Sequence, residues 1–310
     1  MMEAALSPIV QQFVDGFRKQ SPSFAKELVA TAEADAAIFD ELAAPILEAV
    51  SRTVGDGWIE VLSSGYAHFV IDVNRCQLHY EKRGCYANKS YDEVYRQVYG
   101  NAAYMDKYHW GVLVSSFVWM HHLRIYRYYR DYFLDHIADR EATLLDLGAG
   151  SGLWHILALR RRPALRATAV DISARSIALA AQMARSLGIG DRVAHLEGDA
   201  LNVSFDVPFD FGTCCFLAEH LERPQALLPN LARNLKTGGR AFVTVALTAA
   251  EIDHIAEFRR ESEIVDMAES AGFRVLGLFS SAPDRVAKAD ARFLPRSLAI
   301  VLQKRRGEFW

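Results

Sequence analysis

Seven short apolar runs separated by helical stretches fill the chain from Thr143 onward, and this alternation constrains the fold most. The runs cover residues 143–148, 167–172, 192–197, 209–216, 240–247, 273–279 and 297–303. Apolar runs of this length that alternate with helices indicate parallel strands covered by helices on both faces. The last run follows a loop instead of a helix, so we expect the last strand to be antiparallel to its neighbour. The sequence therefore predicts an α/β domain over residues 139–310.

The first 138 residues have a different character. They show helical spacing of apolar residues, and eleven of the twelve tyrosines lie between Tyr80 and Tyr132. Pro45 predicts a kink or break in a helix over residues 33–54. The aromatic stretch 104–133 predicts one long helix, or two helices with a break near Gly111. We therefore expect an α-helical domain over residues 1–138.

Composition and charge exclude several classes of protein. The net charge of −3 over 310 residues gives no electrostatic reason to expect a nucleic-acid partner. The first residues lack the pattern of a signal peptide, and the apolar stretch Gly111–Met120 is too short to span a bilayer. Four scattered cysteines favour a reducing compartment. We expect a cytoplasmic protein with no membrane partner. Whether it forms a homodimer is left open by the sequence.

A glycine-rich turn follows the first strand of the predicted sheet. In LLDLGAGSG, the apolar run leads directly into Gly148, Gly150 and Gly152, and a helix begins next. Glycines at such a turn let the backbone approach a ligand closely. The dinucleotide fingerprint would need a third glycine where Leu153 stands. A nicotinamide-dependent oxidoreductase is therefore the disfavoured alternative.

Acidic residues lie at or near the ends of the first three strands. Asp171 ends the second strand and could accept hydrogen bonds from a ribose diol, and Asp199 follows the third strand, where it could accept from an adenine amine. Asp146 lies inside the first strand. Each acid alone could be a helix N-cap or a solvated charge. Three acids behind one glycine turn favour a nucleotide-like ligand.

Five motifs in order resemble the class I S-adenosylmethionine-dependent methyltransferases. They are LLDLGAGSG, AVDIS, LEGDAL, FDFGTCCFLAEHLERP and LKTGGRAFVTV, and the resemblance covers residues 140 to 305 approximately. It implies a Rossmann-like sheet of seven strands in the order 3-2-1-4-5-7-6. It also implies S-adenosyl-L-methionine as the cofactor and S-adenosyl-L-homocysteine as the product. Residues 1–138 occupy the place where small-molecule methyltransferases of this class carry a helical lid or substrate domain.

The resemblance also implies a set of cofactor-binding residues. The glycines would pass under the methionine part of the cofactor, Asp171 would bind the ribose hydroxyls and Asp199 the adenine amine. The full predicted set is Asp146, Gly148, Ala149, Gly150, Gly152, Asp171, Ile172, Asp199, Ala200, Phe216 and Leu217.

Methyl transfer from a sulfonium needs alignment above all, and a general base only when the acceptor must lose a proton. The candidates for this base are His109, Glu219 and His220. We favour His109, because it lies between two aromatic residues in the segment that could fold over the site. His121 and His122 are adjacent on a predicted helix, so we expect that they cannot both face one site.

Aromatic side chains suit this chemistry, since a cationic sulfonium is attracted to ring faces. We expect Tyr104, Tyr108, Trp110 and Trp119 to bind the acceptor, with plain core packing as the alternative for each.

The acceptor is predicted to be a small molecule, such as a metabolite or a natural-product intermediate, methylated on oxygen or nitrogen. Methylation of carbon, with or without help from a metal, is the alternative. A non-catalytic protein that binds the same cofactor is the rival from another class. The sequence lacks the H-x-x-x-H and C-x-x-C spacings of metal sites, so we expect no metal.

Overall fold

The structure is a computed structural model, and it describes residues 5–284 and 292–306. The helices are α1 (Pro8–Gln20), α2 (Pro22–Ala34), α3 (Ala36–Val54), α4 (Trp58–Arg83), α5 (Tyr91–Val94), α6 (Ala102–Val118), α7 (Met120–Tyr132), α8 (Leu153–Arg161), α9 (Ala174–Ser186), α10 (Leu227–Asn234) and α11 (Glu261–Ser270). The strands are β1 (Ala142–Leu147), β2 (Leu165–Asp171), β3 (Val193–Glu197), β4 (Phe209–Cys215), β5 (Leu235–Leu247), β6 (Phe273–Ser281) and β7 (Arg296–Lys304). The chain is therefore helical up to residue 136 and alternates strands with helices from residue 142.

The seven strands form one sheet in the order β3-β2-β1-β4-β5-β7-β6. β1 to β5 pair in parallel, and β7 runs antiparallel to both β5 and β6. The predicted fold class and strand order are confirmed. The largest difference in bounds is at β5, which begins five residues before its predicted start, at Leu235.

Successive residues of each strand point to opposite faces of the sheet, and each face has its own core. Leu144 packs with α8, α9 and the N-terminal helices, whereas Leu145 packs with α10 and α11. Helices therefore cover both faces, as the alternation of strands and helices predicts.

The N-terminal helices share a core with the sheet. The rings of Tyr129 and Phe133, at the end of α7, lie 4.7 Å and 5.8 Å from the ring of Phe242 in β5. The same apolar cluster continues from Val10 in α1 to Val301 in β7. A domain boundary near residue 138 stays a prediction, and across it the apolar core is continuous.

The aromatic stretch forms two helices, but they meet at Trp119 and not near Gly111, and a break at Pro45 is wrong. α6 continues through Gly111 and ends at Val118, because this glycine serves a close helix crossing. A Cβ on Gly111 would lie 2.7 Å from the carbonyl oxygen of Gly65 in α4. α3 likewise continues through Pro45, which lies buried inside the helix. Within the described ranges, no helix combines the length and the apolar character needed to cross a membrane.

Candidate active site

One large cavity opens at the carboxyl ends of the parallel strands. Its volume is about 1710 Å³, and it runs from the glycine turn after β1 to the space between α2, α4 and α6. Open α/β sheets bind ligands at this edge. Pockets for a single small ligand usually measure roughly 300–1,000 Å³, so this cavity has room for two.

The glycine turn forms one end of the cavity. Gly148, Gly150 and Gly152 have φ angles of 70°, 53° and 90°, which disfavour any residue with a side chain. A Cβ on Gly148 would also lie 2.7 Å from the side chain of Leu217. The turn therefore requires glycine both for its backbone conformation and for its close packing.

Asp171 joins the glycine turn to the end of β2. Its two carboxylate oxygens accept hydrogen bonds from Gly150 N (2.8 Å) and Ser173 N (2.9 Å). Burial raises the pKa of Asp171, and these two backbone N–H groups oppose that rise. Beside it, the side chain of Ile172 is exposed, as a surface for an apolar ring would be. Asp199 lies in the same wall, where it accepts from Leu201 N (2.9 Å).

α6 is fastened across this end of the cavity by two contacts to α9. His109 Nε2 lies 2.9 Å from Ser176 Oγ, and Asp106 forms an ion pair with Arg175. Burial lowers the pKa of His109 to about 4. His109 is therefore neutral near pH 7, and one of its ring nitrogens already has a partner.

Five titratable residues form the other polar wall of the cavity, and we call them the acid–histidine cluster. They are Glu219, His220, Glu251, Asp253 and His254, from the loops that follow β4 and β5. The two loops are joined by hydrogen bonds from Ile255 N (2.8 Å) and Ala256 N (2.9 Å) to the carbonyl oxygen of Glu219. The cluster thus occupies a fixed position at the ends of two neighbouring strands.

Asp253 is the centre of the acid–histidine cluster. Its Oδ2 accepts hydrogen bonds from the hydroxyls of Tyr99 (3.0 Å) and Tyr108, and lies 3.3 Å from His220 Nδ1. Glu219 Oε1 accepts from Ala246 N (3.1 Å). The second oxygens, Glu219 Oε2 and Asp253 Oδ1, are buried and have no hydrogen-bond partner.

Charge is distributed unevenly within the cluster. Burial raises the pKa of Glu219 to about 7, and burial together with the charge of Asp253 raises the pKa of Glu251 to about 8. Burial opposes the charged form of His220, but Asp253 and the two glutamates outweigh it and raise its pKa. Burial also opposes ionisation of Asp253, yet His220 and His254 hold its pKa below the usual value. These shifts favour the charged forms of Asp253 and His220 and oppose the charged forms of the two glutamates.

Two non-glycine residues beside the cluster have a left-handed backbone conformation. Phe216, directly after β4, and Thr248, directly after β5, both have φ of 50°. Hydrogen bonds from Phe216 N to Thr244 Oγ1 (3.0 Å) and from Thr248 N to the carbonyl of Phe258 (2.9 Å) hold these conformations. Such backbone strain is typical of functional sites.

Most of the predicted site residues line the cavity. Those that do are Gly148, Ala149, Gly150, Asp171, Ile172, Asp199, Ala200, Phe216, Leu217, Tyr108, His109, Trp119, Glu219 and His220. The structure brings these residues together, and the role of each in binding or catalysis stays a prediction.

Four predicted site residues lie elsewhere. Asp146 is buried in the sheet, where its oxygens bond Thr213 Oγ1 (2.7 Å) and His155 Nδ1 (2.8 Å). Gly152 caps α8 behind the turn. Tyr104 donates to Asp72 Oδ2 (2.8 Å), and Trp110 packs where α6 crosses Gly65 of α4. Packing and internal hydrogen bonds account for these four positions.

His121 and His122 lie close together, and that they cannot both face one bound ligand stays a prediction. Both line the cavity, with ring centroids 4.4 Å apart. They lie in the first turn of α7, directly after Trp119 interrupts the helical path with an extended backbone. Burial lowers the pKa of His122 to about 4.

Sequence reasoning missed three residues of the cluster, Glu251, Asp253 and His254. The signal that could have found them is the run Glu251-Ile-Asp-His254, which follows the fifth strand just as Asp171 ends the second. The rule that ligands bind at the carboxyl ends of strands applies to both places.

Comparison with known proteins supports the interpretation of the glycine turn as part of a methyltransferase domain. Residues 144–239 match the family model described as "Methyltransferase domain". This segment holds the glycine turn, Asp171, Asp199 and the first part of the cluster. Residues 144–239 form a class I methyltransferase domain. S-adenosylmethionine is the cofactor of this family.

Relatives of the methyltransferase domain carry out different methylations. The chain is 31% identical over 121 residues to the ubiquinone/menaquinone biosynthesis C-methyltransferase UbiE of Cereibacter sphaeroides, covering 38% of this chain and 48% of the relative. It is 39% identical over 105 residues to the cypemycin N-terminal methyltransferase of a Streptomyces species, covering 33% and 40%. The matched segment thus spans about half the length of these curated relatives, or less.

Among solved structures, the mitomycin 7-O-methyltransferase MmcR shares the fold with a TM-score of 0.54. The similarity covers 87% of this chain and 75% of that chain, at 14% sequence identity. This likeness extends the agreement in fold beyond the methyltransferase domain and into the N-terminal helices.

Proposed function

We propose that this protein transfers a methyl group from S-adenosylmethionine to a small-molecule acceptor. One observation carries the proposal: a single cavity joins the glycine turn and Asp171 to the acid–histidine cluster. A cofactor at the first end and an acceptor at the second would meet inside the protein, away from water.

The residues at the glycine turn fit the cofactor. The space above Gly148 and Gly150 would hold the methionine part, Asp171 would accept from the ribose hydroxyls, and Asp199 would face the adenine amine. When bound, S-adenosylmethionine supplies a methyl group already activated by the positive charge on sulfur. The chain contributes alignment and the exclusion of water, which together can be worth about 7–11 kcal/mol.

The rest of the cavity indicates an acceptor with an apolar body and one polar end. Phe69, Val73, Met105, Val112 and Trp119 supply apolar walls next to the cluster. The buried acids and histidines would face the nucleophilic atom, which favours oxygen or nitrogen over carbon. We also infer that the cluster, and not His109, faces this atom, since His109 Nε2 is already bonded to Ser176. A cytoplasmic location stays part of the proposal.

Calorimetry with S-adenosylmethionine, S-adenosylhomocysteine and NAD tests the cofactor. We expect the first two to bind, and Asp171→Ala to weaken them by about 10- to 150-fold, because a hydrogen bond to a charged group is worth roughly 1.5–3 kcal/mol. Asp210→Ala is the matched control, since Asp210 lies at the opposite, amino end of the strands. Binding of NAD alone would instead support an oxidoreductase.

Transfer itself is tested with methyl-labelled S-adenosylmethionine and a panel of phenols, hydroxyquinones and amines. Labelled product should form, and its nuclear magnetic resonance spectrum identifies the methylated atom. Cofactor binding without transfer to any member of a broad panel would favour the non-catalytic alternative. Label on carbon would favour the C-methylation alternative.

A further inference from the structure

We propose that the acid–histidine cluster binds one divalent transition-metal ion, with Glu219, His220 and His254 as its protein ligands. This inference rests on the proposed function, because the ion would hold the polar end of the acceptor. It also departs from the expectation of no metal, which was based on sequence spacing alone.

The three side chains are close enough to share one ion. One ligand atom from each lies within 4.8 Å of the ligand atoms of the other two. Two ligands of a tetrahedral metal at a distance of about 2.1 Å are about 3.4 Å apart. Each pair of ligand atoms would therefore have to approach by about 1.4 Å or less, which is less than about 1 Å for each of the two side chains. Glu251 and Asp253 meet the same 4.8 Å limit with His254.

Backbone contacts orient both histidines as metal ligands require. His220 Nδ1 donates to the carbonyl oxygen of Asp253 (3.2 Å), and His254 Nδ1 donates to the carbonyl oxygen of Ala249 (2.8 Å). When Nδ1 carries the proton, Nε2 keeps its lone pair. Histidines that bind metals almost always donate their other ring N–H in this way.

Unpartnered carboxylate oxygens are the second observation that points to a cation. Glu219 and Asp253 are each 1% exposed, and Glu219 Oε2 and Asp253 Oδ1 have no hydrogen-bond partner. A buried acceptor without a partner costs about 1–3 kcal/mol, and more when it is charged. A cation bound by Glu219 would remove this cost at Glu219 Oε2, while Tyr99 and Tyr108 keep the neighbouring Asp253 in place through its Oδ2.

The donor set selects the kind of ion. Two imidazole nitrogens with one carboxylate suit Zn²⁺, Fe²⁺, Mn²⁺ or Co²⁺, whereas Mg²⁺ and Ca²⁺ prefer oxygen ligands alone. Three protein ligands also leave coordination positions open toward the cavity. An acceptor hydroxyl or carbonyl in such a position would be oriented and polarised by the ion.

Zinc binding by the full-length chain tests the proposal. After treatment with EDTA and removal of the chelator, calorimetry should show one Zn²⁺ bound per chain. His254→Ala and Glu219→Gln should each weaken binding at least ~100-fold, because each removes a ligand and even the partners of ligands are typically worth about 10- to 100-fold in metal affinity. His109→Ala is the control, because it removes a histidine from the same cavity but outside the cluster, and it should bind Zn²⁺ as the wild type does.

Cobalt provides a readout that is independent of turnover. Co²⁺ in the wild type should give visible absorption bands typical of nitrogen and oxygen ligands in a site of low coordination number, and these bands should change in His220→Ala. Circular dichroism establishes that each variant is folded. Glu219→Gln keeps an oxygen for Ala246 N, so it is the variant least prone to misfold. Absence of Zn²⁺ binding in the wild type, or equal binding in His254→Ala, would overturn the proposal.

Titration of S-adenosylmethionine into the same metal-free protein separates the two proposals. If the cofactor binds and zinc does not, the metal site is wrong and the proposed function stands. If zinc binds and the cofactor does not, the proposed function fails and the metal site stands.

Discussion

The two ends of the cavity are built in different ways. The cofactor end depends on local backbone geometry: glycines with positive φ form the turn, and two backbone N–H groups orient the carboxylate of Asp171. The acceptor end consists of side chains from α4, α6 and the loops after β4 and β5, which meet around Asp253. A backbone site binds one kind of ligand and tolerates little change, whereas a side-chain site can change its ligand by substitution. This difference agrees with relatives that share a methyltransferase domain and methylate different kinds of atom.

Removal of the N-terminal helices should have the largest effect. It tests whether the domain that carries the cofactor end can fold without the helices that line the acceptor end. A fragment that begins at Asp139 would expose Leu144, Phe242 and Val301, which are buried against the N-terminal helices. We expect it to lose turnover and cooperative unfolding, as measured by near-ultraviolet circular dichroism during a urea titration. A fragment with a sharp transition near the wild-type midpoint would show that the two ends fold independently.

Gly148→Ala should prevent cofactor binding at the glycine turn and leave the structure of the acceptor end unchanged. The added methyl group would contact the side chain of Leu217 and strain a φ of 70°. We expect the affinity for S-adenosylmethionine to fall at least ~100-fold, or about 2.7 kcal/mol, by calorimetry. Gly188→Ala is the matched control, since Gly188 has the same φ of 70° and nothing within 4 Å of the new methyl group. It should lose about 1 kcal/mol of stability and keep its affinity.

Asp253→Asn should loosen the acceptor end and leave the cofactor end unchanged. The substitution turns two charge-assisted hydrogen bonds from tyrosine hydroxyls into neutral ones, each weaker by about 1 kcal/mol. We therefore expect the free energy of unfolding to fall by about 2 kcal/mol in urea titrations, with unchanged affinity for S-adenosylmethionine. Asp266→Asn, on the exposed face of α11, should have almost no effect. A parallel loss of cofactor affinity in Asp253→Asn would mean that the two ends are coupled.

Near neutral pH the smallest effect concerns His109, which joins α6 to α9 at the cofactor end. Its folded-state pKa of about 4 is below the unfolded value of about 6.5, so the unfolded chain binds more protons between these values. This contribution to stability is complete above pH 6.5 and is lost as the pH falls toward 4. His109→Gln should reduce the pH slope of the unfolding free energy in this window by up to about 1.4 kcal/mol per pH unit. His122→Gln should act similarly, and an unchanged slope in both variants would contradict the burial of neutral histidines.

Local sequence patterns were enough to predict the sheet and the cofactor end. The glycine turn follows β1, Asp171 ends β2, and Asp199 lies two residues after β3, so the strand pattern places all three without any tertiary contact. The acceptor end depends on contacts between residues far apart in sequence, such as Tyr99 and Tyr108 with Asp253. Gly111 shows what local patterns cannot predict. This glycine lets α6 cross α4 closely at Gly65, and no local pattern distinguishes it from a glycine that ends a helix. Asp146 illustrates the converse, since a strand acid that has internal partners such as His155 need not face a ligand.

The left-handed backbone of Phe216 and Thr248 has a consequence for how this protein can evolve. Each conformation costs on the order of 1 kcal/mol, and glycine at either position would remove that cost. Glycine would also remove the contact between the rings of Phe216 and His122 (centroids 5.2 Å apart) and the hydrogen bond from Thr248 Oγ1 to the carbonyl oxygen of Leu294. A substitution could therefore relax the backbone at either strand end only by giving up side-chain contacts beside the acid–histidine cluster.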